Sequence, residues 1–283
     1  RSRGLGDVYK RQLVILIFFR EIRPRSEFRI PKEGPVIFVG APHHNQFLDP
    51  LLLASEVRIN SGRRVSFLIA QKSINRRFIG AAARILQSIP VSRAADSAKV
   101  GKGVITRHET GDPHLLRGID TRFTEQLEPH GQIVLPKETE YANTEVVEVL
   151  NDTEVRIKKE LRGEQLDKAF SGLLQPDGAD KRGSAYKCLP YVDQKDMYAS
   201  VYSCLSAGGC LGIFPEGGSH DRTDLLPLKA GVVIMALGAM ANDPRLNVKI
   251  VPVGLSYFHP HKFRSRAVVE FGKPLSLPAE AVE

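Results

Sequence analysis

Short apolar runs that end in polar loops, and that alternate with helical patterns, constrain the fold of this chain more than any other feature. Apolar runs of this length predict buried strands at 36–40, 65–70, 89–93, 211–214, 249–255 and 267–271. Helical spacing predicts helices at about 50–57, 73–86, 193–207 and 229–241. Strands that alternate with helices predict an α/β fold, with a mainly parallel sheet flanked by helices on both faces.

Residues 96–186 differ from the rest of the chain. They are rich in glycine, threonine and charged residues, and helical spacing is weak. The runs 146–150 and 154–157 flank a three-residue turn, which predicts a β-hairpin. We therefore expect a β- and loop-rich insertion here that supplies no catalytic side chain.

The basic segment 20–32 contains Pro24 and Pro31 and predicts a connecting loop.

A polar segment with two histidines and an aspartate follows the first predicted strand, at 42–49. His44 and Asp49 are five residues apart, so one turn of backbone can bring the imidazole and the carboxylate together. A carboxylate bonded to one ring nitrogen leaves the other nitrogen free to accept a proton, as in a general base. The structural alternative is a capping histidine and an N-cap aspartate before Pro50, which suits the first helical position.

Two other predicted strands also end in polar segments. Arg93 ends the strand at 89–93, and Phe-Pro-Glu-Gly-Gly-Ser-His-Asp-Arg occupies 214–222. Adjacent glycines let backbone amides approach a phosphate, and an arginine can bind phosphate oxygens through two N–H groups. Taken alone, 214–222 also fits a turn with a solvated Arg222. Because parallel strands end at one edge of a sheet, we expect a base, a carboxylate and two arginines to converge there.

The charge distribution indicates an anionic partner. The net charge is +11 over residues 1–93, −4 over 94–186 and +1 over 187–283. The basic excess around His44 suits an anionic substrate or an anionic membrane surface. Nucleic acid is not expected, because no aromatic-interleaved basic motif or known binding module is present. The three cysteines show no disulfide or zinc-site spacing, and we expect no metal.

The two ends of the chain carry little fold information. Residues 1–12 have no clear periodicity, and we expect them to be non-native or disordered, so the predicted domain spans 13–283. The apolar run at 13–19 is far shorter than the roughly 18 residues that a membrane span needs. The sequence stops at Glu283 without a terminating pattern, which suggests a fragment of a longer protein.

Four blocks in order resemble the glycerolipid acyltransferase superfamily. They are the His-x4-Asp pair His44/Asp49, Ile-Pro-Val-Ser-Arg at 89–93, Phe-Pro-Glu-Gly at 214–217 and Val-Pro-Val-Gly at 251–254. The longer loop after the third block is most similar to the fungal-type glycerol-3-phosphate / dihydroxyacetone-phosphate acyltransferases. The resemblance implies fatty acyl transfer from acyl-CoA, without another cofactor, to one of these acceptors. It also implies a catalytic domain on the cytosolic face of the endoplasmic reticulum membrane, with transmembrane helices beyond Glu283.

The resemblance also implies roles for individual residues. His44 would be the general base and Asp49 would orient its ring, while His43 would be structural because adjacent loop side chains diverge. Five residues would bind the substrates. Arg93 and Arg222 would hold the acceptor phosphate, and Gly217 would let the backbone approach it closely. Glu216 would bind acceptor hydroxyls or orient one of the arginines, and Pro252 would shape the wall of the acyl channel. Many members of the superfamily have Thr-Arg after the Glu-Gly pair, whereas Gly218 and Ser219 follow it here.

Three other functions stay open from the sequence. A lysophospholipid acyltransferase would use the same four blocks on a preformed lipid acceptor. A catalytically silent lipid-binding module would dock its basic third on a membrane surface but has no need of the His44/Asp49 spacing. A metal-dependent hydrolase fits less well, because no third ligand stands at recognisable spacing. The acyl-chain preference and the oligomeric state are not predicted.

Overall fold

The computed structural model describes residues 17–75, 80, 83, 88–171, 183–222, 224–258, 264–278 and 280. The chain divides into two compact units: Arg1–Val91 with Gln194–Glu283 form the first, and Ser92–Asp193 form the second. The second unit thus contains the predicted insertion 96–186. Within the described ranges, every helix falls short of the length and apolar character that a bilayer span requires.

The described strands, in chain order, are β1 (Phe19–Arg25), β2 (Val36–Ala41), β3 (Val65–Ala70), β4 (Ile89–Val91), β5 (Lys99–Val100), β6 (Val104–Arg107), β7 (Leu115–Ile119), β8 (Gln132–Val134), β9 (Asn143–Val149), β10 (Glu154–Ile157), β11 (Lys187–Leu189), β12 (Cys210–Ile213), β13 (Lys249–Phe258), β14 (Ser265–Phe271) and β15 (Leu275–Ser276). The helices are α1 (Leu48–Ser61), α2 (Gln71–Ile74), α3 (Phe123–Gln126), α4 (Glu164–Phe170), α5 (Lys195–Ser206) and α6 (Gly231–Asn242). Most of the predicted helix 73–86 lies outside the described residues.

An eight-stranded sheet forms the first unit, in the order β1-β14-β13-β2-β12-β3-β4, with β15 paired to β13. The five strands from β13 to β4 are parallel to one another. β14 runs antiparallel to β13, and β1 is parallel to β14. The prediction of an α/β fold with a mainly parallel sheet is therefore confirmed.

Helices cover both faces of this sheet. Phe38 of β2 packs with Leu52 and Leu53 of α1 in one buried cluster. The preceding residue, Ile37, packs in a second cluster with Val201 of α5 and Ala236 of α6. Successive side chains of a strand point to opposite faces, so β2 is buried on both sides. This explains why its sequence is a continuous apolar run.

The prediction of a connecting loop at 20–32 is wrong, because β1 and a 3₁₀ turn at Glu27–Arg29 occupy most of it. Among the described strands, β1 lies at the edge of the sheet and pairs with β14 alone. An edge strand can carry charged residues and tolerates Pro24, whose missing N–H breaks no central ladder. The segment therefore lacks the apolar pattern that identifies the buried strands.

The second unit is an antiparallel sheet in the order β5-β11-β8-β9-β10-β7-β6. The predicted hairpin is confirmed as β9 and β10. A bridge between Ile105 and Ser184 joins β6 to the segment before β11, so the sheet curls back on itself. Its interior contains Phe123, Ile133 and Tyr186 among other buried residues. None of the described strands drawn from 96–186 enters the sheet of the first unit.

Candidate active site

Two polar loops lie at the carboxyl edge of the first sheet. β2 and β12 are adjacent and parallel, with Val39 opposite Ile213, so both strands end at the same edge. The loop after β2 carries the two histidines and leads into α1. The loop after β12 carries Glu216 and His220. The structure therefore brings together the first and third sequence blocks, the His43–Asp49 loop and the Glu216 loop, as expected from the sequence.

Asp49 is the most completely buried charged group of the site, with 0% of its surface exposed. Its Oδ2 accepts hydrogen bonds from the His43 ring at 2.8 Å, the His44 backbone N–H at 2.9 Å and the Asn45 backbone N–H at 3.0 Å. Its Oδ1 accepts one from the Tyr257 hydroxyl. A buried carboxylate needs such donors to offset the loss of water. Asp49 lies inside α1, and it is Asn45 whose Oδ1 accepts from the N–H groups of Phe47 and Leu48.

The ring that contacts Asp49 is that of His43, not that of His44, so the predicted ring pairing is corrected. His44 meets Oδ2 through its backbone N–H, while Nδ1 of its ring contacts the His220 carbonyl. The two adjacent side chains do diverge, but His43 is the one that meets Asp49. His43 is 7% exposed, and its ring stacks on Phe214 with centroids 4.2 Å apart.

Both histidines have the tautomer of a potential base. Oxygen atoms of a carboxylate or a carbonyl only accept, so Nδ1 of His43 donates to Asp49, and Nδ1 of His44 donates to the His220 carbonyl at 3.0 Å. That leaves the Nε2 lone pair of each ring available, and no described residue occupies it with a hydrogen bond. The two rings differ in their partner, which is the side-chain carboxylate of Asp49 for His43 and a backbone carbonyl for His44.

Glu216 joins the two loops. It is 5% exposed, and its carboxylate accepts from the His43 backbone N–H at 2.8 Å, from the Leu226 backbone N–H at 3.0 Å and from the His220 ring. Burial raises the pKa of this carboxyl, but the hydrogen bonds from Leu226, His220 and His43 outweigh burial and lower the pKa below its ordinary value. Among the described residues no arginine reaches it, so the predicted contact with an arginine is not present.

His220 connects the two loops through its backbone, while the hydrogen bonds of its ring stay within its own loop. Its backbone N–H donates to the His43 carbonyl at 3.0 Å. Its Nδ1 accepts from the Arg222 backbone N–H at 3.2 Å, which leaves the proton on Nε2 for Glu216. The sequence places His220 in the glycine-rich loop but gives no sign of this role, because its backbone contacts with His43 and His44 depend on where the two loops meet.

Among the remaining predicted site residues, Arg222, Arg93 and Gly217 each have their own surroundings. Arg222 is exposed. Arg93 belongs to the second unit and makes a two-pronged ion pair with Asp96, with both N–O distances 3.0 Å. Gly217 has φ +77°, and the Lys229 ammonium lies 2.5 Å from where a Cβ would stand.

Pro252 is an exposed residue in the middle of β13, opposite Val39 of β2. On its other side the partner of β13 changes from β15 to β14, and the Gly272 N–H donates to the Pro252 carbonyl at 2.8 Å. A proline is tolerated at such a break in the ladder. Its predicted role in an acyl channel stays a prediction.

Known proteins similar to this chain are acyltransferases. The family model described as Acyltransferase matches residues 191–256. Glycerol-3-phosphate O-acyltransferase 1 of Saccharomyces cerevisiae is 48% identical over 94% of this chain and 34% of its own length. Glycerol-3-phosphate O-acyltransferase 2 of the same yeast is 36% identical over 95% of this chain and 37% of its own length. An uncharacterized acyltransferase of Schizosaccharomyces pombe is 45% identical over 96% of this chain and 38% of its own length.

This chain spans little more than a third of the length of these relatives. A solved structure, the 1-acyl-sn-glycerophosphate (LPA) acyltransferase of Thermotoga maritima, is 9% identical with a TM-score of 0.42, covering 96% of this chain and 68% of that chain. That likeness is too distant to support an argument. The identities to the yeast proteins extend along nearly the whole chain. The chain is therefore similar over nearly its whole length to the yeast glycerol-3-phosphate O-acyltransferases, and its residues 191–256 match the Acyltransferase family.

Proposed function

We propose that this chain is the catalytic region of an acyl-CoA-dependent O-acyltransferase. Its acceptor would be glycerol 3-phosphate, dihydroxyacetone phosphate or both. The observation that carries the proposal is the His43–Asp49 pair at the carboxyl edge of a parallel sheet, with Nε2 of the ring unoccupied by any described residue. The names of the yeast relatives support the choice of a glycerol phosphate as acceptor.

His43 is the general base in this proposal, in place of the His44 that the sequence favours. A base becomes a cation when it takes a proton, and a buried carboxylate 2.8 Å away stabilises that cation more than a carbonyl does. Stacking on Phe214 and the fixed Nδ1 contact hold the ring in one orientation. His44 lies beside it with its own Nε2 available and is the competing candidate.

The chemistry needs no covalent enzyme intermediate. Nε2 of His43 takes the proton of the acceptor hydroxyl as the oxygen attacks the thioester carbonyl carbon. The C–S bond then breaks, the ester remains on the acceptor, and the imidazolium returns its proton to the departing CoA sulfur. Asp49 opposes the positive charge of the ring between these two proton transfers.

The acceptor phosphate would be bound by Arg222, and a role of Arg93 in binding it stays a prediction. The exposed Arg222 follows Gly217, whose backbone can approach an oxyanion closely. Glu216 contributes by fixing this loop against His43. Pro252 would shape the acyl-chain side of the site. The basic excess of residues 1–93 supports action at an anionic membrane surface, with the endoplasmic reticulum as the proposed location.

The test is release of CoA from palmitoyl-CoA by the purified protein, with glycerol 3-phosphate, dihydroxyacetone phosphate and a lysophosphatidic acid supplied in turn. We expect release with at least one of the two small phosphates. Release with the lysophosphatidic acid alone would make the protein a lysophospholipid acyltransferase. Vesicle binding without release in any of the three reactions would favour a silent lipid-binding module.

Two single substitutions separate the histidines. We expect H43A to lower kcat by about 10³-fold or more and H44A by about tenfold, because only the first removes the ring opposed by a carboxylate. H130A is the matched control, since His130 is an exposed histidine of the second unit paired with Glu145. A larger loss in H44A than in H43A would reassign the base to His44.

A further inference from the structure

Tyr257 reaches Asp49 from a distant part of the chain. Its hydroxyl donates to Asp49 Oδ1, and these residues are 208 positions apart in sequence. The other three donors to this carboxylate all come from residues 43–45 and all meet Oδ2. Tyr257 is therefore the one described partner of Oδ1 and the one described donor from outside the first loop.

The length and pairing of β13 explain how Tyr257 comes to contact Asp49. β13 is ten residues long, and its Gly254 pairs with Ala41 at the end of β2. The strand thus continues past β2 to the level of the histidine loop. Val253, Leu255 and Tyr257 alternate on the face that α1 covers, and α1 begins with the turn that carries Asp49. The Tyr257 ring stacks on Phe19, with centroids 5.6 Å apart.

We propose that Tyr257 is a positioning residue for acyl transfer, acting through Asp49 to hold the carboxylate in the orientation that serves the base. The inference rests on the proposed function. With the phenol on Oδ1, the carboxylate cannot rotate to share both oxygens among the donors of the loop. Oδ2 then remains aligned with Nδ1 of His43.

The tyrosine suits this role over a wide pH range. Burial, and next the charge of Asp49, raise the pKa of the phenol far above its ordinary value, so it stays a donor in alkaline solution. The ring also packs edge-on to His44, with centroids 6.2 Å apart. A phenylalanine at this position keeps both ring contacts and loses the hydroxyl alone.

The experiment compares Y257F with Y186F in the CoA-release assay. Tyr186 is the matched control. It is also buried, it belongs to the second unit, and its hydroxyl donates to the Lys102 carbonyl at 3.0 Å. We expect Y257F to lower kcat by about 10- to 100-fold, the rate factor that corresponds to losing one hydrogen bond to a charged group. The KM values for both substrates should change little, and Y186F should keep wild-type kcat.

A double variant tests whether Tyr257 acts through Asp49. In the D49N background, adding Y257F should lower kcat much less than it does in the wild type, because its partner is already altered. Wild-type kcat in Y257F, an equal loss in Y186F, or full additivity with D49N would each overturn the inference. Retention of activity by both H43A and H44A would instead refute the proposed function, so the two failures are distinguishable.

Discussion

Replacing Asp49 with asparagine isolates the charge of the carboxylate from its shape. Asparagine can turn its oxygen toward the donors of His43, His44 and Asn45 and its amide nitrogen toward Tyr257, whose hydroxyl can rotate to accept. The contacts are then kept with weaker partners. We expect the free energy of unfolding to fall by about 1–3 kcal/mol, and the protein to remain folded.

Catalysis should suffer more than stability. The carboxylate of Asp49 and the imidazole of His43 are in contact, with Oδ2 and Nδ1 2.8 Å apart. For charge centres about 4 Å apart in a partly buried setting, their attraction is about 4 kcal/mol. Loss of that attraction when the ring is protonated predicts a decrease in kcat of about 10³-fold.

The assay is CoA release at saturating palmitoyl-CoA and acceptor, with thermal unfolding followed in parallel. D243N is the control, because Asp243 accepts from Arg245 on the surface and should leave kcat unchanged. D49A gives the contrast, since alanine leaves the donors of His43, His44, Asn45 and Tyr257 without a partner and should unfold the site. A D49N protein that keeps more than about a tenth of wild-type kcat would refute the role of the carboxylate charge.

Three further outcomes are expected. Because the pKa of Glu216 is lowered in the folded state, its hydrogen bonds stabilise the protein fully above the ordinary value of 4.5 and less as pH falls below it. The unfolding free energies of wild type and E216Q, from urea titrations, should therefore converge on acidification, and a constant gap would contradict this. The free energy of unfolding of G217A should be about 1–3 kcal/mol lower than that of the wild type, because alanine is strained at this positive φ and its Cβ displaces Lys229. Gly34 has φ +78° in open space, so equal losses in G217A and G34A would rule out the Lys229 contribution. R222A should lower kcat/KM for the acceptor by ~10- to ~150-fold, with R222K partly restoring it, whereas a rise confined to the acyl-CoA KM would place Arg222 at the donor site.

The sequence predicts the buried strands well and the edge strand poorly, for one physical reason. β2, β3 and β12 are covered on both faces, so their apolar runs identify them without knowledge of their partners. β1 has one neighbouring strand and a basic, proline-containing sequence, and nothing local distinguishes it from a loop. Its strand conformation depends on β14, more than two hundred residues away.

The site divides in a similar way. The sequence spacing places Asp49 within reach of both His43 and His44. Which of the two rings contacts the carboxylate depends on which backbone N–H groups donate to Oδ2. That is a property of the folded loop. Tyr257 and His220 are equally invisible in the sequence, because each acts through a contact between segments that only the sheet brings together.

The curled sheet of the second unit has a consequence for folding cost. Its first strand, β5, pairs with its last, β11, so the chain enters and leaves this unit at neighbouring points. Closing a loop costs free energy that grows with the logarithm of its length. Once the second unit is ordered, the connection between β4 and α5 behaves as one of about a dozen residues and not of a hundred, which lowers the closure cost by roughly 2 kcal/mol. A long insertion between two elements of one unit therefore adds little to the loop-closure cost of that unit when the insertion folds with its ends together.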